Sequence, residues 1–133
     1  YVEVDQPSEW KNPDHSLDYL VIAPESLAQS AHALADLRSA KYRTEVVLIE
    51  DIYDEFNYGL ADAHAIRDFL SYAHSNWRQA PRYVVLLGLG TYDHRKVKGV
   101  SNLIPVWLAS TPWGLFACDN CYADVCASCL HAL

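Results

Sequence analysis

Three apolar runs, Asp18-Tyr-Leu-Val-Ile-Ala23, Tyr42-Arg-Thr-Glu-Val-Val-Leu-Ile-Glu50 and Arg82-Tyr-Val-Val-Leu-Leu-Gly88, alternate with two stretches whose apolar residues recur at helical spacing. Short runs rich in Leu and β-branched residues read as strands of a parallel sheet covered on both faces. In the first helical stretch, near 25–40, Pro24 suits the opening turn, and Leu27, Ala31, Leu34 and Leu37 are expected on one face. In the second, near 62–78, Asp62 is placed as the N-cap. Ile66, Phe69, Leu70, Ala73 and Trp77 form its stripe, and Ala80-Pro81 stops it. Two consecutive strand-helix-strand units imply right-handed crossovers. The expectation is an α/β fold, a doubly wound layer of three core strands in a parallel sheet with helices on both faces, followed by a loop-rich tail. The run at 82–88 is expected to be a central strand, and Asp51 to Gly59 a segment carrying the chain off the end of the second strand.

At 133 residues and 51% hydrophobic, the chain has the size of one domain with a substantial core. Residues 1–17 carry turn formers such as Asn12-Pro-Asp and read as a linker or edge segment; 18–125 form the folded unit, and 126–133 an atypical tail. A net charge of −7 with ten scattered Lys and Arg argues against a nucleic-acid surface. No apolar run approaches the roughly 18 residues of a membrane span, and no basic-then-apolar signal segment opens the chain. The sequence contains no methionine, so it is expected to be cut from a longer precursor.

Four constellations could carry chemistry. Gly88-Leu-Gly90 follows a strand but lacks the third glycine of a dinucleotide fingerprint, which favours a strand-end turn that needs small residues. Asp93, Asp119 and Asp124 fall on loops near the carboxyl edge of the sheet, where converging carboxylates could hold a hard cation or a basic side chain. The opposing reading is that they cap turns. Cys118-x-x-Cys121 and Cys126-x-x-Cys129, with His131 beyond, have the form of zinc ligand pairs. Only four residues separate the pairs, where ribbon-type sites insert about a dozen or more, so zinc is not expected. A disulfide pair in a secreted protein, or cysteines that are simply accidental, are the alternatives for these sulfurs. Finally, His94 with Cys118 or Cys121 is the one thinkable nucleophile and base pair, and nothing in the sequence brings them together. His15, His32, His64 and His74 read as surface residues.

Five ordered segments resemble the first half of the gingipain-type cysteine peptidase domain: Asp51-Ile-Tyr-Asp-Glu-Phe-Asn-Tyr-Gly59, Ala65-Ile-Arg-Asp-Phe-Leu70, Pro81-Arg-Tyr-Val-Val-Leu-Leu-Gly88, Gly90-Thr-Tyr-Asp93 and Asn102-Leu-Ile-Pro105. The resemblance implies a caspase-like fold of two side-by-side subdomains. It also implies bacterial proteins that are secreted or surface-attached, some exported by the type IX system and some acting as its sortase. The family's catalytic His-Gly and strand-end Cys belong to the second subdomain, which this chain does not resemble. His94 is followed by Arg95, so the role is not transferred to it. What the resemblance leaves for this chain is a part in framing the substrate cleft, with protein or peptide substrates and the second subdomain as partners. Acidic loop residues are implied to serve substrate or cation sites, calcium among them, and Asp93 and Asp119 match such loops. Two departures stand out. Leu89 occupies the place of an aspartate between the two glycines, and Cys118 and Cys121 replace the first and fourth residues of the family's Ser-Asp-Asn-Trp-Tyr-Ala-Asp pattern. The alternative reading is a non-catalytic α/β binding module holding a cation or zinc.

Overall fold

The structure, a computed structural model, describes residues 9–91, 99 and 102–123. The chain runs β1 (Tyr19–Ala23), a 3-10 turn (Glu25–Leu27), α1 (Ala28–Ser39), β2 (Thr44–Leu48), α2 (Ile49–Asn57), α3 (Ala63–Asn76) and β3 (Tyr83–Leu86). It continues through β4 (Leu108–Thr111), β5 (Gly114–Ala117) and α4 (Asn120–Ala123). Strands β1, β2 and β3 form one parallel sheet in the order β2-β1-β3, with Val21 opposite Val46 and Val85.

Side-chain alternation along β1 sorts the core into two layers. Tyr19, Val21 and Ala23 meet Ala31 of α1, with Leu34, Val46 and Val85 packed around them. Leu20 and Ile22 face the other way onto Ile52 of α2 and Ile66, Phe69 and Leu70 of α3. Helices therefore cover both faces, as the three runs imply.

Four local expectations are corrected. β1, with all five residues buried, is the central strand, and β3 lies at an edge with Tyr83 and Val84 exposed. A run of apolar residues records that a strand favours covered faces, but its rank in the sheet depends on which other strands pair with it. Leu37 does not join the α1 stripe and is 78% exposed. The buried pair is Ala31 and Ala35, and a residue two positions past Ala35 points about 200° away around the helix.

The segment after β2 is a helix. Ile49, Ile52, Tyr53 and Phe56 recur at helical spacing, Glu50 and Asp51 sit favourably in the first turn, and Tyr58 (φ 55°) followed by Gly59 (φ 78°) closes it in the left-handed region. The tail contains an antiparallel hairpin, β4 with β5, joined through Pro112-Trp113. Its Thr111 hydroxyl donates to the Gly114 carbonyl at 2.8 Å. Asp62 caps α3 as expected, accepting from the His64 N–H at 3.0 Å.

Residues 9–17 lie against the core. Trp10 meets Phe69 edge-on and Trp77 at a tilt, the Trp77 ring N–H donates to the Trp10 carbonyl at 2.9 Å, and Ser16 bridges to Gln79 in parallel.

At the amino edge of the sheet, Arg43 donates to Asp18 from its Nε at 3.1 Å and to Ser16 at 2.7 Å, while the Gln79 amide donates to Asp18 at 2.6 Å. The Arg43 hydrogen bonds hold the Asp18 carboxyl below its ordinary value of 3.8. A carboxyl lowered in this way contributes stability that is present above its unfolded pKa and lost as pH falls through the folded one. Asp18→Asn is accordingly expected to lessen the fall in stability below about pH 4. Urea unfolding at neutral and acid pH checks this, and an identical acid loss in the variant would show that the network contributes nothing.

Candidate functional site

The carboxyl ends of the strands carry the site. Beyond β3 the chain runs Leu87-Gly-Leu-Gly-Thr91 and is held against residues 102–106. The N–H groups of Leu103 and Ile104 donate to the Leu89 carbonyl at 3.0 and 3.3 Å, and the Thr91 N–H donates to the Asn102 side chain at 3.0 Å. Both glycines are required by this contact. Gly88 has φ 146°, and a Cβ there would lie 3.0 Å from the Ile104 side chain. A Cβ on Gly90 would lie 2.3 Å from Val106 Cγ2 and 2.8 Å from the Ile104 carbonyl oxygen. The Gly-x-Gly pair therefore serves close packing of two backbone segments, as a strand-end turn does.

Alongside lies a cavity of about 590 Å³ walled by Leu70 of α3, Leu86 of β3, Gly90, Ile104, Asp119 and Tyr122. Its lining is mostly apolar, and Asp119 is the one charged side chain on it among the described residues. Tyr122 is buried, its hydroxyl donates to the Pro105 carbonyl, and its ring meets Trp107 edge-on at 5.8 Å. Burial, with the Asp119 charge nearby, pushes this hydroxyl up to about 12, so it remains a donor at neutral pH. The arrangement offers an apolar slot with a carboxylate at its wall, next to β3, whose outer edge is unpaired among the described residues.

A second cavity of about 460 Å³ adjoins the start of α3, lined by Tyr53, Asp62, His64, Asn102 and Trp107 among others. His64 Nδ1 lies 2.9 Å from Asp62 Oδ1, and its ring sits 4.3 Å from that of Trp107, over which the Arg67 guanidinium also lies at 5.5 Å. The hydrogen bonds from the His64 backbone and ring hold the Asp62 carboxyl low. Burial raises the Tyr53 hydroxyl well above its ordinary range. His64 is exposed, as its sequence reading has it, but the contact with Trp107 is one that the sequence does not announce: the partners are far apart in the chain and only the fold joins them.

Of the acidic trio, Asp119 lines the larger cavity, while Asp93 and Asp124 lie outside the described residues. Cys118 and Cys121 are bonded to each other as a disulfide. Neither sulfur is a free thiolate in this form, which removes both as nucleophiles or metal ligands while the bond persists. Cys126, Cys129, His131 and His94 lie outside the described residues. Calcium takes about six to eight oxygen ligands. Among the described residues no three His, Cys, Asp or Glu side chains converge, so these residues alone do not form such a cage.

An α/β layer with helices on both faces and a cavity at the carboxyl ends of its strands is the framework of many hydrolases and nucleotide-binding proteins. Comparison narrows it: the model of peptidase family C25 matches residues 12–128, and the chain belongs to that family, the gingipain family of cysteine peptidases. Among solved structures it is similar to dimeric latent PorU from Porphyromonas gingivalis, with 22% identity and a TM-score of 0.72. That match covers 85% of this chain and 12% of the PorU chain, and it shares the caspase-like α/β fold. No curated protein matches the sequence. Among the described residues no helix is long and apolar enough to cross a membrane.

Proposed function

We propose that this chain is the amino-terminal subdomain of a secreted or cell-surface gingipain-like cysteine endopeptidase of the kind associated with type IX secretion. It forms one wall of the substrate cleft while a second subdomain supplies the catalytic His-Gly and strand-end Cys. The observation that carries this reading is the apolar cavity bearing Asp119 beside β3, whose outer edge is unpaired among the described residues, within a chain of peptidase family C25.

An extended peptide can add to an open strand edge through main-chain hydrogen bonds, with a side chain dropping into the adjoining slot. Asp119 would then meet a polar or charged substrate group or a cation, a role that the family resemblance extends to Asp93. Thiolate attack needs a base within hydrogen-bond reach and donors for the oxyanion. In this half the two described sulfurs are tied together, so catalysis is assigned to the other half.

Residues 1–133 alone should show no turnover of Arg, Lys or other peptide substrates and no labelling by a thiol-directed active-site inhibitor. A single polypeptide carrying both halves should hydrolyse peptides in a manner dependent on the downstream His and Cys. In it, Asp119→Asn should raise KM more than it lowers kcat, as expected when binding common to ground and transition states is removed. Turnover by residues 1–133 alone, abolished by His94→Ala, would overturn the assignment. Peptide binding without turnover by the joined halves would instead favour a non-catalytic binding module.

A further inference from the structure

Cys118 and Cys121 bracket Asp119 and Asn120, and both bracketed residues lie on the wall of the larger cavity. The turn is held on either side without the sulfur bridge. The Cys118 N–H donates to the Trp107 carbonyl at 2.8 Å, and buried Tyr122 donates its hydroxyl to Pro105. Between these anchors, among the described residues, the Cys121 N–H donates to the Cys118 carbonyl and the Tyr122 N–H to the Asp119 carbonyl, each at 3.2 Å.

A bridge that closes so short a loop restricts the unfolded chain far less than one that closes a long loop. Its effect is therefore local order of the bracketed turn rather than stability of the sheet. Both cysteines are half-buried, and Ala117, Asp119, Asn120 and Ala123 around them are exposed, so a small thiol can approach.

We infer that Cys118–Cys121 is a thiol–disulfide exchange site that takes dithiol reductants, and that its redox state sets the order of the Asp119–Asn120 turn on the cavity wall. A thiolate of the dithiol attacks one sulfur, forming a mixed disulfide while the other cysteine leaves as a thiolate and takes a proton. The second thiol of the reagent, once deprotonated, attacks the mixed disulfide and releases the first cysteine, which is protonated in turn. Two electrons pass to the protein, and the reagent departs as its own disulfide. The oxidised turn presents Asp119 in a fixed position, and the reduced turn relies on the Cys121–Cys118 and Tyr122–Asp119 backbone bonds. That this would tune a substrate cleft rests on the function proposed above; the exchange chemistry itself does not.

Dithiothreitol treatment of the folded chain, followed by alkylation, peptide mass mapping and amide exchange by NMR, tests the inference. The untreated chain should carry the bridge, and dithiothreitol should open it while the β1 amides keep their protection. The amides of Cys121 and Tyr122 should then exchange about tenfold faster. Cys118→Ser/Cys121→Ser should show the fast exchange with no reductant present. Cys126→Ser/Cys129→Ser should respond to dithiothreitol as the unaltered chain does.

Absence of the bridge in the untreated chain would overturn the inference, as would reduction only when β1 loses protection or unchanged exchange at Cys121 and Tyr122 after reduction. Loss of the response in the Cys126/Cys129 variant would overturn it too. None of these readouts uses peptide hydrolysis, so a failed peptidase assay and a failed redox assay remain distinct results.

Discussion

Phe69→Ala is expected to destabilise the chain by about 3–5 kcal/mol, a large share of the roughly 5–15 kcal/mol that holds a domain together. Phe69 is fully buried on α3 and meets three other aromatic rings, with centroids 5.6 Å from Phe56, 5.7 Å from Trp77 and 6.3 Å from Trp10, all near edge-on. These three rings come from α2, from the end of α3 and from the segment before β1. Removing Phe69 therefore leaves a void that no single element can close, and it loosens the attachment of residues 9–17 as well as the α2–α3 contact. Leu37→Ala, on the exposed side of α1, should stay within about 0.5 kcal/mol. Urea midpoints at constant m-value measure both. Equal losses for the two variants would mean that the α2–α3 layer is not the main core.

The contrast between Phe69 and Leu37 also marks how far the sequence could be read. Stripes of large side chains at helical spacing placed α3 and its buried face, because Ile66, Phe69, Leu70 and Ala73 leave only one way to bury them. In α1 the stripe is made of alanines, and the larger Leu37 drew the expected face around the helix although Ala31 and Ala35 are the residues that allow α1 to approach β1. α2 departs from the expected connecting segment: Ile49, Ile52, Tyr53 and Phe56 carry helical spacing, but the helix starts directly where β2 ends, inside the apolar run assigned to that strand. The order β2-β1-β3 was not legible, since strand rank depends on pairing between segments and not on the composition of any one.

The site was legible where it depends on local chemistry and obscure where it depends on convergence. Asp119 is expected on a loop near the sheet's carboxyl edge, and the structure has it in the turn after β5, on the wall of the larger cavity. Nothing local could pair His64 with Trp107, or order the tail as a hairpin: Leu108–Thr111 and Gly114–Ala117 are short, and β5 is exposed along its length, so its alternation carries no burial signal. The Cys118–Cys121 bridge sits between these cases, since the spacing is compatible with a metal pair or a disulfide and only the placement of the two sulfurs decides.

Gly90→Ala is expected to cost about 1–3 kcal/mol or more, although it adds one methyl group at an exposed position. The reason is where that methyl must go. It would lie 2.3 Å from Val106 Cγ2 and 2.8 Å from the Ile104 carbonyl oxygen, so one side chain and one stretch of backbone must both give way. The backbone concerned is held by the Leu103 and Ile104 bonds to Leu89, and these cannot be kept if the 102–106 segment retreats. Retreat would also open the cavity wall formed by Ile104 and Val106. A double variant separates the two contacts. Adding Val106→Ala to Gly90→Ala removes the side-chain clash but leaves the carbonyl contact, so it should recover part of the loss and not all of it. Urea unfolding of the single variants and the pair gives the coupling directly. Strict additivity would show that Gly90 does not pack against Val106, and full recovery would show that the backbone contact carries no energy. Partial recovery, with faster amide exchange at Leu103 and Ile104, is the result that ties the strand-end glycine to the shape of the cavity rather than to the binding of a nucleotide.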